Sequence, residues 1–181
     1  VANKVLDQID IVSKGATKHF CQGNHSYRLE RYLANRAPEL RTLPTLTVPG
    51  LLKLKSRGWK FHAYRDVLRI GKCHFVHDVG RAGKHAAAQS LADFGHNIVF
   101  GHTHRAQIHY GGNVRGESHV GMSAGWLGSY DAIDYRSQSL AKREWQHGIG
   151  LVDIEPNGNC HCHFIPIINR SAVVDGKVVK V

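Results

Sequence analysis

The sequence is poor in acidic residues, which fixes the sign of its charge. Only 14 aspartates and glutamates stand against 24 lysines and arginines, so the formal net charge is +10 at pH 7. This balance favours anionic partners such as nucleic acid or phosphorylated small molecules. The basic residues are spread along the chain rather than gathered in one tail. The charge alone therefore supports a phosphate-handling surface only weakly.

Cysteines and long apolar runs are also scarce. The sequence has no C-x-x-C pair, and its dispersed thiols argue against a disulfide framework and fit a reducing cytoplasm. No stretch approaches the roughly 18 uninterrupted apolar residues that a membrane-spanning helix requires. Charged residues such as Lys4 and Asp7 interrupt the first apolar positions, so no secretory signal is recognisable. We therefore expect a cytoplasmic protein without a membrane segment.

The sequence does not begin with methionine, and its single methionine is Met122. Apolar residues from Val1 to Val12 already fall at helical spacing, which predicts a helix that ends near Gly15. A chain of 181 residues can bury one sizeable core, and no repeat or low-complexity run divides it. We expect residues 1–181 to form a single domain that is the downstream portion of a longer chain.

Strands and helices alternate in the first half of the sequence, and strands dominate the second half. Ser26 is the predicted cap of the second helix. The pattern indicates a layered α/β architecture with two packed sheets. Helices are predicted over 26–36 and 83–95, and strands over 17–21, 59–64, 66–71, 72–76, 97–100, 106–110, 117–123, 148–154 and 160–167.

Residues that can bind metal follow three of the predicted strands. Asn24 and His25 come after the first strand, His77 after the strand 72–76, and His102 and His104 after the strand 97–100. Ligands of open α/β sheets bind beyond the carboxyl ends of the strands. Imidazole nitrogens and an amide oxygen suit Mn, Fe, Ni or Zn. With 14 histidines in the chain, polar loops rich in histidine are the alternative, but the threefold recurrence favours a metal site.

Glycines precede two of these groups, at Gly23 and Gly101. We expect them to let the backbone turn sharply and approach a ligand closely.

Three blocks carry a resemblance to a known family. The segment QGNH at 22–25, the strand that ends at His77, and GHTH at 101–104 resemble the last three signature blocks of the calcineurin-like metallophosphoesterases. The resemblance covers the chain from about Val1 to Ala106. It implies an α/β/β/α sandwich of two mixed sheets, without its N-terminal strands, and a centre that binds two divalent ions, drawn from Mn, Fe, Ni or Zn.

The resemblance also implies a role for each residue of these blocks. Asn24, His77 and His102 would hold one ion, and His104 would contribute to the other. His25 would lie beside the scissile phosphate as an acid or charge stabiliser, which suits an imidazole that titrates near neutral pH.

Arg28 lies one helical turn beyond the QGNH block and is a candidate for binding a substrate phosphate through its fork of donors. A solvated or salt-bridged arginine is an equal alternative.

Two departures from the family pattern qualify this interpretation. Ser26 stands where the family usually has an acidic residue, which alters hydrogen bonding around the site. The family's first two blocks, an Asp-x-His and a Gly-Asp that supplies the bridging carboxylate, are absent from the sequence. We therefore expect the 181-residue chain alone to bind at most one divalent ion, weakly, and to have little activity.

The sequence thus predicts a metal-dependent phosphoesterase that hydrolyses phosphomonoester or phosphodiester bonds, with nucleic acid or nucleotides as the substrate class that the charge favours. The alternative is a basic nucleic-acid-binding or scaffold module with an incomplete, inactive metal site.

Two further patterns are assigned to packing. Cys160-His161-Cys162-His163 alternates along a predicted strand, so its thiols share one face and its imidazoles the other, which argues against a zinc site. Trp59, Trp126 and Trp145 are too scattered in sequence to predict a base-stacking platform.

Overall fold

The computed structural model of the protein describes residues 1–129 and 144–180. Its helices and mixed sheets confirm the predicted α/β class. The chain folds into two compact units, Val1–Asp66 and Val67–Val181. The single domain over residues 1–181 stays a prediction. Every helix among the described residues is too short or too polar to cross a membrane.

The first unit contains a parallel pair of strands with helices between them. The strands β1 and β2 pair in register from Lys18 opposite Trp59 to Cys21 opposite His62. Two prolines, Pro38 and Pro44, each open a short 3-10 turn in the connection. The elements in chain order are α1 (Ala2–Val12), β1 (Lys18–Cys21), α2 (Asn24–Arg36), α3 (Val48–Leu51) and β2 (Trp59–His62).

A polar cluster around Asp10 ties α1 to β1 and β2. The Asp10 carboxylate accepts hydrogen bonds from Lys18 Nζ at 2.7 Å, Arg57 Nη1 at 2.7 Å and Trp59 Nε1 at 2.8 Å. These bonds, that of Lys18 above all, lower the pKa of Asp10 to about 2. Buried apolar side chains are few in this unit, which is described throughout: Leu6, Leu33, Val48 and Leu54.

The second unit contains a five-stranded mixed sheet, one helix and two antiparallel hairpins. The sheet has the order β3-β4-β5-β7-β6, in which β4, β5 and β7 run parallel. The hairpins are β8–β9 and β10–β11. The elements are β3 (Leu68–Ile70), β4 (Cys73–Val76), α4 (Ala86–Phe94), β5 (Ile98–Phe100), β6 (Ala106–Gly112), β7 (Ser118–Ala124), β8 (Gly148–Ile154), β9 (Cys160–Pro166), β10 (Ser171–Val174) and β11 (Lys177–Lys180).

Both faces of the five-stranded sheet are covered by apolar packing. On β5, Ile98 and Phe100 join a cluster with α4, whereas Val99 joins a cluster with Cys162 of β9. This alternation follows from the two-residue period of a strand. The helix approaches so closely that a Cβ at Gly121 of β7 would lie 2.6 Å from the carbonyl oxygen of Ala87.

Several element boundaries differ from their prediction. Helix α2 begins at Asn24 with Gly23 as its N-cap, so the predicted cap at Ser26 is wrong. The Ser26 hydroxyl lies inside the first turn and donates to the Gly23 carbonyl at 2.9 Å instead. The end of α4 at Gly95 is confirmed, with the left-handed φ of 73° that favours glycine. The hairpin β10–β11 was not predicted.

Candidate functional site

The second unit brings His77 and His102 together at the ends of two neighbouring strands. β4 and β5 are paired in parallel up to Val76 and Phe100, so the residues that follow emerge side by side. The pairing extends one step further, since Gly101 N donates to the His77 carbonyl at 3.1 Å. The two imidazole centroids lie 5.6 Å apart with an angle of 77° between the ring planes.

This separation fits two imidazoles that share one cation. With nitrogen–metal distances of about 2 Å, two rings on one ion have centroids no more than roughly 6 Å apart. The pair therefore supplies two neutral nitrogen ligands, a donor type that suits Zn, Ni, Fe and Mn. Within residues 1–129 and 144–180, no group of three or more histidine, cysteine, aspartate or glutamate side chains is placed to hold a metal. The described residues therefore offer a cation at this position two ligands, the imidazoles of His77 and His102.

The loop after β5 has an unusual backbone at both of its histidines. The φ angle is 65° at His102 and 59° at His104, a left-handed conformation that is uncommon for residues with a Cβ. Each such residue costs about 1–3 kcal/mol unless its surroundings hold it in place. Backbone outliers of this kind cluster at ligand-binding sites.

Thr103 holds this loop in place from between the two histidines. Its side chain is buried, and its Oγ1 lies 2.6 Å from the Ser123 hydroxyl on β7. The same oxygen accepts a hydrogen bond from Arg105 N at 3.2 Å. Threonine is therefore the anchor of the GHTH loop, a role that its place between two histidines did not reveal.

The expected sharp turn does not fall on either glycine, and their close approach to a ligand stays a prediction. Gly101 does not have a positive φ, and a Cβ there would meet His77 at an ordinary 3.5 Å. Gly23 has a φ of −87°, which any residue can adopt, and acts as the cap of α2. The sharp turn falls on the histidines themselves.

His104 lies in an aromatic cluster with two tryptophans. Its ring stacks on Trp126 at a centroid distance of 5.4 Å and meets Trp145 edge-on at 4.3 Å. The two indoles lie 5.1 Å from each other. Trp126 and Trp145 are distant in sequence but pack against each other, in agreement with their predicted packing role. The assignment of His104 to a second ion stays a prediction.

Arg105, directly after the motif, forms a second anchor that sequence reasoning missed. Its Nε and Nη2 donate to Glu144 Oε2 at 3.0 and 2.7 Å, and Lys84 Nζ lies 3.0 Å from the other carboxylate oxygen. The bond from Arg105, followed by that from Lys84, lowers the pKa of Glu144. A charged arginine followed the motif in sequence, but its partner lies 39 residues away.

In the first unit, the QGNH block is organised by Gln22. This side chain is 1% exposed, accepts a hydrogen bond from Tyr64 N at 3.0 Å, and donates to Glu30 at 2.6 Å. Its backbone N–H donates to the His62 carbonyl at the end of β2. Sequence reasoning missed this residue, because glutamine is seldom buried and the residues around it show no pattern that indicates burial.

The other predicted residues of the first unit occupy the first turns of α2. Asn24 is its first residue and is half-buried, while His25 and Arg28 are exposed. Their predicted roles as metal ligand, acid and phosphate contact stay predictions.

The thiols of β9 face inward, as predicted, and the imidazoles face outward. Cys160 and Cys162 lie in the apolar cluster with Cys73, whereas His161 and His163 are exposed. A hydrogen bond with Cys162, together with burial, raises the pKa of the Cys73 thiol.

The chain matches no protein-family model, no curated protein and no solved structure. The resemblance to the metallophosphoesterases is therefore a resemblance of the three sequence blocks alone.

Proposed function

We propose that this protein is a metal-dependent phosphoesterase that hydrolyses phosphomonoester or phosphodiester bonds. The observation that supports it most directly is the pair of imidazoles, His77 and His102, at the ends of adjacent parallel strands. Its fold in this proposal is the α/β/β/α sandwich of two mixed sheets. A mixed sheet with a helix on one face and a hairpin on the other supports that layering.

The proposal assigns His77, His102 and Asn24 to one divalent ion and His104 to a second, both drawn from Mn, Fe, Ni or Zn. Such ions, when bound, polarise phosphoryl oxygens and lower the pKa of water. The left-handed loop anchored by Thr103 presents the imidazole of His102 beside that of His77.

Two exposed side chains of α2 complete the proposed chemistry. His25 donates a proton to the leaving alkoxide, which cannot depart from phosphorus efficiently as a bare anion near neutral pH. Arg28 binds a non-bridging phosphate oxygen through its guanidinium. Both are accessible to a substrate because both are exposed.

The substrate class is a phosphate ester of nucleic acid or a nucleotide, on the strength of the net charge of +10. The proposed location is the cytoplasm, which suits four free thiols.

The test is hydrolysis of bis(4-nitrophenyl) phosphate by the full-length protein with added Mn²⁺, together with its metal content. His102→Ala is expected to lose bound metal and to lower kcat/KM at least about 100-fold, because a ligand is removed. His25→Ala is expected to lower kcat toward a phosphodiester with an alkoxide leaving group, which needs that proton, while metal content is retained. His109→Ala, an exposed histidine on β6, serves as the matched control and keeps both.

Unchanged activity in His102→Ala would contradict the proposal. Salt-sensitive binding of nucleic acid without any turnover would favour the alternative, a basic binding or scaffold module with an inactive site.

A further inference from the structure

A second feature of the sheet lies at the opposite ends of the same parallel strands. A cleft of about 730 Å³ opens where β4, β5 and β7 begin, and we call it the basic cleft. Six basic side chains line it: Arg69, Lys72, His74, His96, His119 and His161. His74 and His77 lie at opposite ends of β4, about 10 Å apart at 3.3 Å per residue. The cleft is thus separate from the histidine pair.

The walls of the basic cleft are held by backbone contacts. Lys72 N donates to the Gly158 carbonyl at 2.9 Å, which joins the β3–β4 turn to the β8–β9 turn. These turns fit so tightly that a Cβ at Gly71 would lie 2.8 Å from Ile154. Asn97 bridges the other side, since its side chain donates to the Lys72 carbonyl and accepts from Val120 N. The cleft therefore exists before any ligand arrives.

The fixed charge of the cleft is positive. Arg69 Nε donates to the Gly71 carbonyl at 2.9 Å, and Lys72 Nζ donates to the Asn159 amide oxygen at 2.9 Å. Both hydrogen-bond partners are neutral, so these bonds orient the cations without cancelling their charge. The Glu155 carboxylate, which is not part of the lining, acts on Lys72 through its charge. Among the described residues that line the cleft, Glu117 carries the one carboxylate, and it accepts a hydrogen bond from Asn113 at 2.6 Å.

Three histidine rings lie together inside the cleft. The ring of His96 lies 5.8 Å from those of both His74 and His119. His74 Nδ1 lies 3.1 Å from the Asn97 carbonyl oxygen, which can only accept, so this nitrogen carries the proton. No described residue forms a hydrogen bond with the buried Nδ1 of His119, whose Nε2 lies 3.8 Å from Glu117.

These rings carry imidazole N–H groups, which can donate hydrogen bonds to an anion. The neighbouring titratable groups are His161, which is bonded to Glu155 at 2.6 Å, together with Cys160 and Tyr110.

We propose that the basic cleft binds a small phosphate-bearing molecule of about nucleotide size, independently of the histidine pair at the other end of the sheet. The charge selects an anion, and the volume falls within the range of roughly 300–1,000 Å³ that small-molecule sites occupy. Inorganic phosphate alone would leave most of that volume unfilled.

The test is calorimetric titration of the full-length protein with 5′-AMP in the presence of EDTA, which removes the cations of the proposed catalytic site. The double variant Arg69→Ala/Lys72→Ala is expected to bind AMP at least about tenfold more weakly. The control Lys177→Ala/Lys180→Ala removes the same charge from exposed positions of β11 and is expected to change affinity less than about twofold.

Absence of AMP binding by the unmodified protein, or equal weakening in both double variants, would overturn the proposal. So would binding that requires added Zn²⁺ instead of surviving EDTA. A single-stranded oligonucleotide that binds more tightly than AMP, and loses that binding in Arg69→Ala/Lys72→Ala, would reassign the cleft to nucleic acid.

Discussion

In the first unit, the strand that leads into QGNH is fixed by hydrogen bonds, whereas in the second unit the strands that lead to His77 and His102 are fixed by apolar packing. Gln22 and Asp10 provide the polar framework of the first unit. Ile98 and Phe100 lie in the buried cluster that supports the second. A motif of similar appearance can thus rest on two kinds of support, and the two should respond differently to the same perturbation.

The largest difference is expected from deleting a phenylalanine in each unit. Phe100→Ala removes the ring of a residue that is 1% exposed and leaves a cavity in the core. It should lower the free energy of unfolding by about 3–5 kcal/mol. Phe61→Ala removes a half-buried ring that stacks on Phe20, so its cost should be clearly smaller. Urea unfolding of both variants measures the two free energies of unfolding. Equal decreases would show that apolar packing supports the two units to the same extent.

The polar framework of the first unit is tested by Gln22→Ala. The change leaves Tyr64 N–H and the Glu30 carboxylate without their buried partner, which should cost about 2–3 kcal/mol. Gln8→Ala, at an exposed position of α1, is the matched control and should cost less than about 0.5 kcal/mol. If Gln22→Ala lowered the free energy of unfolding no more than its control does, the hydrogen bonds of Gln22 would not be what stabilises this strand.

In the second unit, Thr103 is the polar exception within an apolar framework. Thr103→Val keeps the shape but removes the hydroxyl that lies 2.6 Å from Ser123, at a cost of about 1 kcal/mol. Thr103→Ser keeps the hydroxyl and should retain the loop conformation. The comparison is made by unfolding and by metal affinity, and weaker metal binding in the serine variant than in the valine variant would argue against the anchor.

The smallest effect is expected from acid acting on Asp10. Its pKa is lowered from 3.8 to about 2 in the folded protein, so its contribution is complete above about pH 4 and is lost as the pH falls toward 2. Asp10→Asn should therefore reduce the pH dependence of stability in that window. Asp175→Asn, an exposed position in the second unit, is the control. Parallel pH profiles for Asp10→Asn and the unmodified protein would contradict this assignment.

Much of the fold followed from residues whose signal is local. The strand before His77 and the strand before His102 are short apolar runs, and α4 ends at Gly95, where the predicted helix also ended. The inward thiols of β9 followed from the two-residue period of a strand.

What the sequence could not predict depends on partners that are distant along the chain. The rings of Trp126 and Trp145 pack together although they are 19 residues apart in sequence. Arg105 donates to Glu144, which lies 39 residues further along the chain. The left-handed backbone at His102 depends on the bond between Thr103 and Ser123, which no local pattern announces. The cap at Gly23 replaced the expected Ser26 because the backbone turns at the end of β1, earlier than the helical pattern suggested.

Anomalous diffraction from crystals of the protein grown with Mn²⁺ or Zn²⁺ would show whether His77 and His102 share a cation. We expect an anomalous peak within about 2.0–2.3 Å of a ring nitrogen of both residues. Loss of that peak in His77→Ala crystals would complete the assignment. A peak bound to neither imidazole, or a fully ordered His77–His102 pair without any peak at saturating metal, would contradict it.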